Sequence, residues 1–201
     1  MKQIARKLER WYSKEAKRYD SRLQKEFAEE FKKEFSGVSK LLKVRKEDKV
    51  LDVATGTGNY LILAAKRGAI CYGIDISKKM IEVAKRKTKR MKNIKELCIE
   101  EANNLSYPSD YFNWITCIGM FEHYQIEEGV RILKEFKRIL KKNGKIILDF
   151  PNKEHSEIKK AHADFLYNLP QIKKAFKKAG LKILKTRIAG WTFQFLLMKR
   201  K

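Results

Sequence analysis

"VLDVATGTGNY", residues Val50 to Tyr60, decides how this chain folds. Apolar and β-branched residues flank one acid, Asp52, and run into two glycines one residue apart, Gly56 and Gly58. That pattern is a buried strand ending in a tight turn that opens a helix. A dinucleotide fingerprint, G-x-G-x-x-G, would need a third glycine where Leu61 stands. The third glycine lets helix and strand pack closely while a pyrophosphate sits on the helix N-terminus, and a large Leu61 argues against that geometry. An acid nevertheless follows at the end of the next strand: Asp75, 19 residues after Gly56, has the spacing of a carboxylate that holds ribose hydroxyls. Together these residues imply a nucleoside lying across the strand ends without a pyrophosphate.

Outward from this turn, apolar runs alternate between two periods. "DKVLDVA", "AICYGIDI", "NIKELCIE", "FNWITCIGM" and "KIILDF" read as strands. "NYLILAAKRG" reads as a helix closed by Gly68, and "KKMIEVAKRKTKRMK" as one capped by Ser77. "IEEGVRILKEFKRILKKNG" reads as a helix with Gly144 at its end, and "LPQIKKAFKKAG" as a later one. Strands alternating with helices of this length predict an α/β fold, a mostly parallel sheet with helices on both faces. The closing segments "LKILKTRI" and "WTFQFLLMKR" have only Ala189 and Gly190 between them. So short a connection permits only an antiparallel hairpin, and the final strand should run against the others.

The chain has 201 residues, 43% of them hydrophobic, enough for one core. No apolar run approaches the roughly 20 residues that cross a bilayer, and "MKQIARKLERWY" lacks the apolar stretch of a secretory signal, so a cytoplasmic location is expected. Cys71, Cys98 and Cys117 lie far apart within apolar stretches. They read as core residues, with neither a metal site nor a disulfide framework expected. The formal charge of +23 is extreme, yet residues 96–128 hold seven acids and no Lys or Arg. Such basicity fits a polyanionic partner or the Lys- and Glu-rich surface of a thermophile-like protein.

"VLDVATGTGNY", "GIDISKKMIEVAK", "EEANNLSYPSDYFNWITCIGMFEHY" and "LKEFKRILKKNGKIILDFPN" occur in that order, and with them the chain resembles the class I S-adenosylmethionine-dependent methyltransferases. The resemblance is strongest to the methyltransferase type 11 subgroup that includes the ubiquinone and menaquinone biosynthesis methyltransferases, and covers about residues 45–200. It implies a Rossmann-like, seven-stranded sheet with an antiparallel final strand, S-adenosyl-L-methionine as cofactor, and a small-molecule or lipid-like acceptor. It further implies that Asp52, Ala54, Gly56, Thr57 and Gly58 surround the methionine part of the cofactor and that Asp75 accepts both ribose hydroxyls. Ile76 and Met80 would press on the adenine, Glu101 and Ala102 would read its edge, and Gly119 would leave room for the sulfonium. Ala54 replaces the first motif glycine, Asn113 the acid of the usual "F-D", and Leu105-Ser106-Tyr107 the usual "L-P-F", so the acceptor stays open.

His123, just beyond the fourth strand, is the candidate general base, because the carboxyl edge of such a sheet is where ligands bind and its pKa suits the task. Glu122 would orient the imidazole or attract a cationic acceptor. His155 and His162 are lesser candidates. In residues 1–44, Ile4, Leu8, Trp11, Tyr12 and Tyr19 form a helical stripe, and Leu23, Phe27, Phe31 and Phe35 recur every four residues in a second helix. The resemblance implies that this segment, which ends in the "Y-D" pair Tyr19-Asp20, is a lid on a domain spanning 45–201, with Tyr12, Tyr19 and Asp20 closing over the cofactor; docking of the stripe against the body of the domain is the alternative. The segment's basic polar face also suits peripheral contact with an anionic membrane. An RNA methyltransferase is the main alternative. Against it, "GMFEH" (Gly119–His123) stands where enzymes that methylate base amines carry a "(D/N)-P-P-(F/Y)" motif, and the acid-only segment should fall on the cleft. A non-catalytic, cofactor-binding partner subunit is the third reading, and oligomeric state is open.

Overall fold

In the computed structural model, which describes residues 2–155 and 163–200, the opening stretch forms β1 (Lys49–Val53), with every residue after Lys49 buried. A strand covered by helices on both faces must be apolar on both, and the alternation divides its side chains between two cores. Val50 packs with Leu61, Ala84, Trp114 and Ile147 on one face, and Leu51 and Val53 pack with Ile115, Phe136, Leu148 and Ile172 on the other. Around β1, strands β2 (Ile70–Asp75), β3 (Ile94–Ile99), β4 (Phe112–Cys117), β5 (Leu140–Pro151), β6 (Leu181–Ala189) and β7 (Thr192–Lys199) form one sheet in the order β3-β2-β1-β4-β5-β7-β6. The strands through β5 pair in parallel, and β7 runs antiparallel to both β5 and β6. Ala189 pairs with Thr192, so the hairpin loop is Gly190-Trp191, one residue later than the sequence suggests, with Gly190 at φ +61°.

Leu61, which displaces the third fingerprint glycine, is fully buried in α4 (Asn59–Lys66). Its partner on the sheet is Gly73 of β2, where an added Cβ would come within 3.3 Å of Leu61 Cδ2 and 2.8 Å of Leu97 Cδ2. The glycine that allows close helix–strand approach has moved from the helix onto the strand. Ser77 caps α5 (Lys78–Thr88), its hydroxyl accepting from Met80 N at 3.3 Å.

Two expectations about helices need correction. α6 (Ile126–Ile139) ends before "LKKNG", and Gly144 lies inside β5. Leu140 is fully buried opposite Phe112, and the register then jumps to Trp114 opposite Lys145, leaving the intervening residues as a bulge. A Cβ on Gly144 would stand 2.7 Å from the Leu140 side chain, so close packing, not a helix cap, requires the glycine. The N-terminal region holds three helices, α1 (Lys2–Glu15), α2 (Tyr19–Glu26) and α3 (Ala28–Leu41), with a break at Phe27 (φ −130°) inside the apolar repeat. The two halves of that repeat serve different partners. Gln194 Nε2 of β7 donates to Glu34 O in α3 at 2.8 Å, while α2 lies over the glycine turn, and the Phe27 ring fills the corner against Trp191. The final helix is α7 (Leu169–Lys178), opened by a reciprocal Asn168–Gln171 capping box. Among the described residues no helix is long and apolar enough to cross a membrane.

Candidate functional site

The turn after β1 is built on buried hydrogen bonds. Asp52 is 1% exposed, and its carboxylate accepts from the Thr116 hydroxyl at 2.5 Å and the Thr55 hydroxyl at 2.6 Å. Burial pushes it up to about 6 against the lowering effect of those bonds. Asp52 lines no part of the cleft, contrary to its expected place beside the cofactor: it anchors the turn from beneath. Gly58 likewise serves the scaffold, as the left-handed cap of α4 packed near Ala84. Ala54 and Gly56 both stand at φ +53°, which turns the backbone toward the next strand. Gly56 N then donates to Asp75 Oδ2 and Ser77 N to Asp75 Oδ1, each at 2.8 Å. Burial lifts the Asp75 carboxyl to about 6, and the two backbone donors oppose that rise.

Two adjoining hollows open at this carboxyl edge of the sheet and share Tyr12, Tyr19, Ala54, Ile118 and Gly119. The first is lined further by Asp75, Ile76, Glu100, Ala102 and His123. The second takes in Gly56, Thr57, Glu34, Tyr60, Glu122 and Trp191. A Cβ on Gly56 would meet nothing within 4 Å, so the turn presents bare backbone to the second hollow. Met80 is fully buried and lines neither hollow. Glu101 is exposed, beside Arg6 and Glu9 in a separate shallow depression. Glu100 takes its place because its backbone N continues the ladder to Asp75 O at 3.2 Å, which seats it beside the carboxylate. Of the seven acids in residues 96–128, only Glu100 and Glu122 line these hollows.

The N-terminal helices lie over both. Leu8 and Tyr12 of α1 and Tyr19 of α2 line the first hollow, so these members of the apolar stripe face the cleft. Asp20 ties α2 to the turn, accepting from the Thr57 hydroxyl at 2.6 Å, Asn59 Nδ2 at 3.1 Å and Lys87 Nζ at 2.7 Å. A Ser13–Ser77 hydroxyl contact of 2.9 Å ties α1 to the cap of α5.

His123 closes a short 3-10 turn, Phe121–His123, and is 1% exposed. Its Nδ1 lies 3.1 Å from Asp164 Oδ2, and its Nε2 lies 2.9 Å from the Tyr12 hydroxyl. Lys7 pairs with the other Asp164 oxygen at 2.6 Å. Burial works against the charge on Asp164, yet bonds from Lys7 and His123 hold its carboxyl below the usual range. Asp164, not Glu122, therefore orients the imidazole. Glu122 faces the second hollow with one carboxylate oxygen buried and unpartnered, and burial, Glu34 and Asp164 push it up to about 7. Glu34, also at about 7 through burial, accepts from the Tyr60 hydroxyl. Asp149, which takes Gly119 N at 2.9 Å, is raised by burial and by the charges of Glu34 and Glu122. His155 lines neither hollow, and His162 lies outside the described residues. Sequence reasoning missed Asp164, Glu34, Glu100 and Trp191. For Asp164 no local signal exists, because the contact with His123 spans 41 residues of chain and is supported by hydrogen bonds from Asp164 N and Phe165 N to Glu122 O.

Residues 51–148 match the family model described as "Methyltransferase domain". A demethylmenaquinone methyltransferase of Staphylococcus saprophyticus is 38% identical over 114 residues, which cover 55% of this chain and 47% of that protein. The chain thus spans about half the length of the curated relatives it matches. A SAM-dependent methyltransferase from Aquifex aeolicus shares the fold at a TM-score of 0.73 and 22% identity, over 93% of this chain and 98% of that one. Magnesium protoporphyrin IX methyltransferase from Synechocystis, solved with bound SAM, aligns at 0.71 and 21%, over 89% and 84%. The sheet order, a bare glycine turn hydrogen-bonded to the acid ending β2, and the matched methyltransferase domain at residues 51–148 agree in supporting the fold and cofactor turn of a class I S-adenosylmethionine-dependent methyltransferase.

Proposed function

We propose that this protein transfers a methyl group from S-adenosylmethionine to a small-molecule acceptor enclosed beneath the N-terminal helices. The observation that carries this is Asp75, whose two oxygens are aligned by Gly56 N and Ser77 N beside the apolar Ile76 and Ala102. Each oxygen keeps a free lone pair for a ribose hydroxyl, and the bare backbone at Gly56 and Gly119 leaves space for the rest of the molecule. The bound cofactor supplies an electrophilic methyl on a sulfonium, whose displacement depends chiefly on alignment. Alignment can contribute roughly 7 to 11 kcal/mol of barrier reduction. α1 and α2 act as the lid over the remaining domain, with Tyr12 and Tyr19 excluding water and Asp20 as the latch.

His123 takes the acceptor's proton. With Nδ1–H directed at Asp164, Nε2 carries the lone pair that faces the cleft, and the Tyr12 hydroxyl stands on it as a relay. The demethylmenaquinone relatives favour a small or lipid-like acceptor, and three free cysteines suit a reducing compartment such as the cytoplasm. RNA remains the second reading because Lys134, Lys137, Lys177, Lys178 and Lys199 cluster around the α6–α7 surface. Incubation with methyl-labelled cofactor and extracts of the source organism tests the proposal: a labelled small molecule supports it, and label found only in RNA overturns it.

A further inference from the structure

The second hollow combines aromatic faces with carboxylates that lack a cation. Trp11, Tyr19, Phe27, Phe31, Tyr60 and Trp191 form its walls, and Glu34 and Glu122 also line it. Among the described residues no ion pair reaches Glu34, Glu122 or Asp149. Arg22 lines the same hollow, but its guanidinium is paired with Glu15 at 2.9 Å and does not neutralise them. It does show what the walls accept, lying 5.3 Å from the Trp11 ring centroid and 5.7 Å from that of Phe27. Desolvated carboxylates in one cavity are unfavourable unless a positive group joins them, and Glu122 keeps a buried oxygen with no hydrogen-bond donor. An anionic acceptor, such as an ionised phenol or enol, would add like charge to this group.

We propose that the acceptor presents an amine, bound as the ammonium between the aromatic walls and the Glu34–Glu122 pair. This rests on the methyltransferase reading and names the acceptor's chemical class. The ammonium must lose a proton before it reacts. That proton passes to the Tyr12 oxygen as Tyr12 gives its own to His123 Nε2, leaving an imidazolium held by Asp164. The freed nitrogen lone pair then forms the N–CH3 bond as the C–S bond breaks, its electron pair going to sulfur. The aromatic faces stabilise the cation before and after transfer. Glu34 and Glu122 lie in the hollow that excludes Asp75, which separates them from the ribose end of the cofactor; its methionine end would enter the same hollow at Gly56, so the cofactor affinity of variants at the two carboxylates decides which cation they take.

The test compares choline with its neutral isostere 3,3-dimethylbutan-1-ol, titrated into protein loaded with S-adenosylhomocysteine and followed by calorimetry and tryptophan fluorescence. Choline should bind about tenfold more tightly, the size of one desolvated cation–π or charge-assisted contact. Glu34→Gln and Glu122→Gln should each erode that preference by about threefold or more while S-adenosylhomocysteine affinity stays within about twofold. Equal or tighter binding of the alcohol overturns the proposal, as does choline binding too weak to measure. Gln variants that lose cofactor affinity and keep the choline preference would assign the carboxylates to the cofactor instead. If S-adenosylhomocysteine itself fails to bind, the methyltransferase reading falls, and the choline-to-alcohol ratio of the unloaded protein still decides the charge preference.

Discussion

Tyr12 and His123, 111 residues apart in the chain, meet through a 2.9 Å hydrogen bond between the phenol oxygen and Nε2. The contact joins α1 to the candidate base, so in the proposed mechanism lid closure and proton transfer share one bond. Burial raises the Tyr12 phenol well above its ordinary range, which keeps it protonated and able to donate to the imidazole. His123→Ala should lower turnover by roughly 10² to 10⁴ and leave cofactor affinity nearly unchanged. Tyr12→Phe should lower turnover less and raise the KM for the acceptor. Full activity in the His123 variant, measured by steady-state kinetics, would remove the base role.

Asp164 separates an orienting role from a charge effect. Asn at position 164 can present its amide N–H to Nδ1, which shifts the ring proton to Nε2 and removes the lone pair that must accept. Asp164→Asn should therefore approach the loss seen in His123→Ala, with cofactor binding intact. Lys7 is a control, because its side chain is 59% exposed and its ion pair belongs to a class worth about 0 to 1 kcal/mol. Lys7→Ala should change turnover by no more than about fivefold. Equal effects of the two substitutions would point to charge alone.

The pH dependence of stability follows from the buried acids. Glu34 and Glu122 titrate near 7 in the folded protein against 4.5 for the ordinary carboxyl, so between those values the folded state binds more protons than the unfolded one. Stability then falls as pH rises through this window. Asp52 and Asp75, raised from 3.8 to about 6, act in the same direction at lower pH. The melting temperature of the ligand-free protein should decline from pH 5 to pH 8, and Glu122→Gln should flatten that decline. At pH 8 the variant should melt higher by roughly 2 to 4 °C per kcal/mol regained. A melting temperature that climbs with pH across this range would contradict the assignment of these groups.

How much of this was readable beforehand depends on whether the determinant is local. Val50, Leu51, Trp114, Ile115, Ile146, Ile147 and Leu148 alternate between the two cores, and that period marks the strands in the sequence itself. Asp75 was legible because strand length and turn size fix its distance from Gly56. Glu100 and Glu101 were not separable, since the choice depends on where β3 stops pairing with β2. The break at Phe27 interrupts an intact four-residue repeat, and only the separate docking of α2 and α3 explains it. Gly144 has the sequence context of a helix cap, whereas its position is set by Leu140 entering the core. Asp164 and Glu34 reach the site across long stretches of chain, and no spacing rule connects them to His123 or Glu122.

The latch at Asp20 gives a separable test of the lid. Its carboxylate gathers Thr57, Asn59 and Lys87, and bonds from those three hold it below the ordinary range although burial opposes them. Hydrogen bonds to a charged group contribute about 1.5 to 3 kcal/mol. Asp20→Ala should therefore release α2 from the turn, weaken S-adenosylhomocysteine binding by about tenfold through faster dissociation, and increase amide exchange in residues 2–26. Exchange in β1 and β4 should stay as in the parent protein. Uniform loss of protection across the sheet would make Asp20 a determinant of global stability, not a latch.

Gly56 distinguishes a turn that touches the cofactor from one that merely closes β1. At φ +53° an alanine methyl costs roughly 1 to 2 kcal/mol of backbone strain, yet nothing lies within 4 Å of that methyl, so the fold should tolerate it. A fall in melting temperature of about 2 to 8 °C is expected for Gly56→Ala in a chain of this size. The same methyl points into the hollow that would receive the methionine part of the cofactor, and S-adenosylhomocysteine affinity should drop by about tenfold or more. Asp75→Ala removes the ribose acceptor and frees two backbone donors, and it should abolish binding by calorimetry. A Gly56→Ala protein that melts lower but binds S-adenosylhomocysteine as before would place the cofactor away from this turn, and unchanged affinity in Asp75→Ala would remove the carboxylate from the site.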